Sequence, residues 1–206
     1  MAMTANQIFT LGLAAVVVVL VVLLLALRTK TPATAELSIH KAFSLKVSLS
    51  PDEKEKATND AAVAAKARGQ SVEAATEAVR SKLSTVQQVR LKRVLWVDDH
   101  PDNNVYESLA LMRLGFIITT VTSNKAARIY LAEAYFDLII TDLGRDGTDD
   151  DGQRLIREQQ TASRKIPLVV YTVKADERQR ELIAAGASAV EDQPGQLIAT
   201  VLTIAS

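Results

Sequence analysis

Cysteine is absent from the 206 residues, which excludes disulfides, thiolate metal sites and thiol nucleophiles together and suits a reducing compartment. Histidine is confined to His40 and His100, and His100, beside Asp99 on a loop, reads as an exposed rim residue rather than a metal ligand or phosphorelay group. Aromatic residues make up only 4%, and two of them, Trp96 and Tyr171, read as packing in a core or on a sheet flank. There is no net charge, but only by cancellation. Residues 28–93 hold 13 Lys and Arg against 7 Asp and Glu, whereas residues 94–206 hold 11 against 17. An acidic carboxyl-terminal half argues against nucleic acid as a partner, because phosphate contacts need Lys and Arg clustered on one face.

One long apolar run is present. Ile8 to Leu27 carries no charge and is rich in Val and Leu, and at about 1.5 Å per residue it spans a hydrocarbon core of roughly 30 Å. The expectation is a transmembrane anchor over 1–30. A cleaved signal peptide ending near Ala33-Thr34-Ala35 competes with it, but residues 2–7 lack Lys and Arg, and the run exceeds the usual signal core of roughly 7–15 residues. Arg28, Lys30, Lys41 and Lys46 follow the run and nothing basic precedes it. The positive-inside rule therefore predicts a single-pass protein of the inner (plasma) membrane with its bulk in the cytoplasm.

Residues 31–93 read as spacer and helical linker. The alternation Ala42-Phe43-Ser44-Leu45-Lys46-Val47-Ser48-Leu49 suggests a lone strand, which needs a partner. Ser50-Pro51-Asp52-Glu53 is a capping box with Pro at the first helical position, so a helix is expected from there to about Arg68, stopped by Gly69. A second helix from Ser71 carries the narrow stripe Val72, Ala75, Val79, Leu83 and Val86, which packs on a neighbour or forms a short self-associating coiled coil.

From Val94 onward, apolar strand-like runs alternate with helical periodicity. Strands are expected at 94–99, 116–122, 136–142, 167–172 and 187–191, and helices at 102–114, 124–134, 152–162, 175–185 and 194–204. That is an α/β domain over 94–206, with a doubly wound five-stranded parallel sheet. Val94-Leu95-Trp96-Val97 runs into Asp98-Asp99, Phe136 to Thr141 runs into Asp142, and Pro167 to Tyr171 runs into Thr172. Three carboxylates and a hydroxyl thus meet at the edge where open α/β sheets bind ligands. Helix capping would explain one of the aspartates, but not three converging.

The strings Val-Asp-Asp-x-Pro-x-Asn at 97–103, Phe-Asp-Leu-Ile-Ile-Thr-Asp at 136–142, Pro-Leu-Val-Val-Tyr-Thr at 167–172 and Ala-Gly-Ala at 185–187, followed by Pro194, resemble the receiver domain of bacterial two-component response regulators. The resemblance implies the strand order 2-1-3-4-5 counted from Val94. It implies Asp142 as phosphoacceptor, Mg²⁺ held by Asp98, Asp99 and Asp142, and Thr172 bonding a phosphoryl oxygen. It further implies a histidine kinase or phosphotransfer protein upstream and a protein partner downstream. Oxygen-only donors with retained waters are what Mg²⁺ prefers, and the cation offsets the repulsion among the carboxylates.

The chain also departs from that family. Gln193 stands where the family has Lys, and Val190 where it usually has a switching aromatic. Val173 replaces a small residue, and the loop 143–152 is longer and more acidic and lacks the common Met-Pro. Lys174 and Arg145 are candidates to replace the missing cation, against the plainer reading of both as solvated charges. Three functions follow from these features. The first is a membrane-tethered phosphorelay receiver without an output domain, signalling through protein contacts. The second is a pseudo-receiver that docks partners without phosphorylation. The third, a metal-dependent phosphatase, ranks last, since Thr141-Asp142-Leu143-Gly144 supplies no acid or base beside the nucleophile. The expectation is a signalling protein, not an enzyme.

Overall fold

The computed structural model describes residues 46–86, 88–144, 150–173 and 175–205. The apolar run at 8–27 and the candidate cations Arg145 and Lys174 lie outside the described residues, and among those described no helix is long and apolar enough to cross a membrane. The described residues of 46–131 and 136–205 belong to one compact unit, so the stretch read as a linker is packed with the sheet domain from Lys46 on.

Five parallel strands form the sheet: β3 (Lys92–Val97), β4 (Phe116–Val121), β5 (Leu138–Thr141), β6 (Leu168–Tyr171) and β7 (Ala189–Glu191). Their order is β4-β3-β5-β6-β7, which counted from Val94 is the expected 2-1-3-4-5. Val97 aligns with Thr141 across β3 and β5, so Asp98 and Asp142 leave the sheet side by side. Every residue of β5 and β6 is buried, because helices cover both faces of a parallel sheet and leave no solvent-facing side. The first four strands end earlier than expected, with Asp98, Asp99, Asp142 and Thr172 in the loops beyond them, whereas β7 ends at Glu191 as expected.

The helices are α3 (Val105–Arg113), preceded by a 3-10 turn at Pro101–Asn104, α4 (Asn124–Glu133), α5 (Asp150–Thr161), α6 (Ala175–Ala185) and α7 (Pro194–Ala205). Val94, Trp96, Ile140, Val169 and Tyr171 share a core with Leu111 and Leu114 near α3 and with Leu197, Ile198 and Val201 of α7. Alternate strand residues such as Leu95, Val97 and Ile139 are equally buried and face the opposite side, as the two-residue period of a strand requires.

A further helical layer lies behind α3 and α7. It is a hairpin of α1 (Pro51–Ala67) and α2 (Val72–Thr85), closed by the antiparallel pair β1 (Lys46–Ser48) and β2 (Gln88–Arg90), in which Val47 aligns with Val89. The alternating stretch thus finds the partner it needs. The Ser50 hydroxyl accepts from the Glu53 N–H at 3.2 Å, and that of Ser71 from the Ala74 N–H at 3.1 Å, so both helices start at capping serines. Small residues explain how close this layer sits. Ala57, Ala61, Ala64 and Ala65 of α1 are buried in a helix that packs on α3, and Arg113 of α3 reaches Asp60 at 2.7 Å. Along α2, Ala75, Val79 and Leu83 are buried in the packing with α1 and α7. The stripe considered as a self-association seam is therefore covered by its own chain.

Candidate functional site

The carboxyl ends of β3, β5 and β6 open into a cleft of about 580 Å³ lined by Asp98, Asn104, Asp142, Thr172, Arg68 and Arg178, among others. Backbone bonds fix its walls. The Asp98 N–H donates to Val121 O at 3.0 Å, the Asp142 N–H to Val97 O at 3.2 Å, and the Thr172 N–H to Glu191 O at 2.9 Å. Each functional residue therefore follows the register of the strand before it.

Asp98 is 6% exposed, and its carboxylate is held from two sides. Oδ1 accepts from the His100 N–H at 2.7 Å and Oδ2 from the Asn104 amide Nδ2 at 2.7 Å. Asp98 is not itself a helix cap, since the helix-start positions are His100 and Asn104. Asp99 places Oδ1 3.1 Å from His100 Nδ1. Asp98, Asp99 and His100 form a group whose ligand atoms all lie within 4.8 Å of one another. His100 is as exposed as expected, but it stands within ligand distance of the pair rather than apart from it. Asp142 lines the cleft with Asp98 without belonging to that tight group, and its Oδ1 accepts from the Leu143 N–H at 2.6 Å. Carboxylate oxygens each carry two lone pairs, and oxygen donors grouped in this way fit a hard divalent cation such as Mg²⁺.

Gly152 keeps the Asp142 backbone in place. A Cβ there would come within 2.6 Å of Asp142 O and 2.7 Å of Leu143 Cα, so only glycine lets the first turn of α5 pass the Asp142 loop.

The departures keep their character in the fold. Gln193 is half-buried and is not among the residues lining the cleft, and Val190 is 3% exposed in the middle of β7. The structure also adds residues that sequence reasoning missed. Glu107, on α3, is 1% exposed and accepts from the Tyr171 hydroxyl at 2.9 Å and from Arg68 Nε at 2.9 Å. Burial, reinforced by the Glu107 carboxylate, pushes the Tyr171 hydroxyl well above its ordinary range, so it stays a donor. Tyr171 also packs edge-on against Trp96, with ring centroids 6.3 Å apart, in keeping with the expected packing role of both. Arg68 comes from the hairpin. Its only sequence signal was the small-residue face of α1, which had to cover something and so had to bring the helix end beside the sheet.

Residues 94–194 match the family model described as the response regulator receiver domain. No curated protein matches the chain. Among solved structures, a response regulator of Chloroflexus aurantiacus J-10-fl is similar at 22% identity and a TM-score of 0.50, covering 55% of this chain and 96% of its own. A sensor protein of Polaromonas sp. JS666 shares 27% identity at a TM-score of 0.49, covering 55% of this chain and 94% of its own. The receiver domain of a sensor histidine kinase from Pseudomonas aeruginosa PAO1, which holds a magnesium ion in its cleft, shares 24% at 0.48, covering 56% and 98%.

Proposed function

Because residues 94–194 form a response regulator receiver domain of two-component signalling, we propose that this chain is a membrane-tethered receiver that accepts a phosphoryl group on Asp142 with Mg²⁺ held by Asp98, Asp99 and Asp142. The observation that carries the reading is the single cleft into which Asp98, Asp142 and Thr172 open from three adjacent strands. In the transfer, an Asp142 carboxylate oxygen bonds to phosphorus as the bond from phosphorus to the donor nitrogen of a histidine kinase or phosphotransfer protein breaks, and the electron pair leaves with the imidazole. Mg²⁺ held by Asp98, Asp99 and Asp142 would supply positive charge that offsets the negative charge of the incoming phosphoryl group. Asp98, locked by His100 N–H and the Asn104 amide, presents its remaining lone pairs in a fixed direction. The Thr172 hydroxyl, on a residue that lines the same cleft, would donate to a phosphoryl oxygen. Signalling then passes to a downstream protein by surface contact, and no hydrolytic role is assigned, since Leu143 and Gly144 bring no acid or base beside Asp142.

The anchor at 8–27 and a cytoplasmic, inner-membrane location belong to the same proposal, on the charge pattern of the sequence. One specific observation favours a second reading, a receiver fold that docks partners without phosphorylation: Gln193 and Val190 stand at the family's cation and switch positions. The test exposes the full chain in detergent to Mg²⁺ and a small phosphodonor and follows the mass of the peptide carrying Asp142. A phosphoryl increment that disappears in Asp142→Asn is expected. Its absence under conditions where Mg²⁺ binds selects the docking module.

A further inference from the structure

The cleft contains a cation that the sheet domain does not supply. Arg68 caps the end of α1 and lines the cleft together with Asp98, Asp142 and Thr172. Its Nε donates to Glu107 at 2.9 Å, and its Nη2 donates to Asn104 Oδ1 at 2.6 Å and to Asn103 O at 3.3 Å. The guanidinium carbon lies 4.7 Å from the centroid of the Tyr171 ring. These partners fix the plane of the group and leave Nη1 without a hydrogen bond, on a side chain that is 25% exposed. Among the described residues lining the cleft, the other guanidinium, that of Arg178, pairs with Glu181 at 3.4 Å, and His100 Nδ1 lies 3.1 Å from Asp99. Gln193 offers only a neutral amide, outside the lining.

We propose that Arg68 is the phosphoryl-binding cation of this cleft, supplied by the helical hairpin where the sheet domain has Gln193. The proposal rests on Asp142 as the phosphoacceptor. A guanidinium suits the task because its planar fork binds phosphate oxygens while another edge stays anchored, here on Glu107 and Asn104. Glu107 offsets the guanidinium charge while Asp142 is unmodified, and the added negative charge of a phosphoryl group makes the cation worth sharing. The neighbouring Gln70 Nε2 donates to Asp192 O at 2.9 Å, so the same hairpin turn is tied to the loop that carries Gln193. An anion in the cleft therefore tightens hairpin docking, and docking tightens anion binding by the same factor.

Beryllofluoride with Mg²⁺, titrated into the full chain in detergent and read by fluorine NMR, tests this. Arg68→Ala is expected to weaken mimic binding roughly tenfold, the size of one lost charge-assisted hydrogen bond, with Mg²⁺ affinity held within about twofold. Arg68→Lys is expected to recover part of the loss. Removing Arg68 also strands the buried Glu107, so the double variant Arg68→Ala/Glu107→Gln separates the two effects. Thermal stability returns in the double variant while mimic affinity stays low if Arg68 touches the anion. Recovery of mimic affinity in the double variant, or an unchanged affinity in Arg68→Ala, overturns the proposal and leaves Asp142 as acceptor. Failure of the unaltered chain to take up the mimic at all overturns the acceptor reading, and this proposal with it.

Discussion

At the scale of single residues, the site is a balance between carboxylates that repel and donors that hold them. Asp98 and Asp142 line one cleft, and Asp99 stands beside Asp98. Without metal, removing one of these charges should relieve strain, so Asp142→Asn is expected to melt higher than the natural chain by roughly 2–4 °C if the relief is about 1 kcal/mol. Mg²⁺ should raise the melting temperature of the natural chain by linkage, and Asp99→Ala should abolish that rise. A lower metal-free melting temperature in Asp142→Asn, or an undiminished Mg²⁺ effect in Asp99→Ala, would contradict the shared site. Glu191, beyond the cleft, behaves differently. Burial pushes its carboxyl up, against the pull of the Thr200 hydroxyl at 2.7 Å, and Asp192 adds to the rise. Its folded pKa thus lies above the unfolded one, and the ionised form weakens the fold at neutral pH until the pH falls through that raised value. Glu191→Gln should accordingly melt higher than the natural chain at pH 7, with a difference that shrinks on acidification. A difference that does not vary with pH would assign the effect to packing instead.

At the scale of elements, the hairpin is the part of the molecule that local rules describe well one helix at a time and badly as a whole. Ser50 and Ser71 marked both helix starts, and Val94, Phe136 and Pro167 marked the strands, because capping and hydrophobic periodicity are local signals. The acidic residues of the cleft were legible for a related reason: a carboxylate directly after a buried strand has little purpose except at the sheet edge. Arg68, Glu107 and the Tyr171 hydroxyl were not legible, since their meeting depends on helix packing between residues far apart in sequence. Strand ends were misplaced by a residue or two because the last apolar residue and the last ladder bond need not coincide. Packing of the hairpin on the domain has one sharp point, Gly195, where a Cβ would come within 2.5 Å of the Ala75 Cα and O. Those atoms are backbone and cannot turn aside, so α2 and α7 must separate. Gly195→Ala is expected to cost about 1–3 kcal/mol and to raise amide exchange along α2 more than along β3 and β5. Unchanged exchange in α2 would mean that the hairpin is held elsewhere.

At the scale of the whole molecule, the charge division acquires a purpose if the chain is tethered. Residues 28–45 lie between the proposed anchor and the unit described from Lys46, and fully extended they reach at most roughly 65 Å. A receiver held within that radius meets a membrane-bound kinase at a far higher effective concentration than a freely diffusing one, without any tighter contact surface. The basic residues Arg28, Lys30, Lys41 and Lys46 would then lie near the anionic inner leaflet, while the acidic domain is repelled from it and kept open to partners. This arrangement needs the domain inside the cell. Protease added to intact cells is expected to leave residues 31–206 undigested, and to degrade them once the membrane is permeabilised. Digestion in intact cells would reverse the orientation. A mature chain beginning after Ala35 would remove the anchor altogether, since the run at 8–27 would then be a processed signal rather than a retained span.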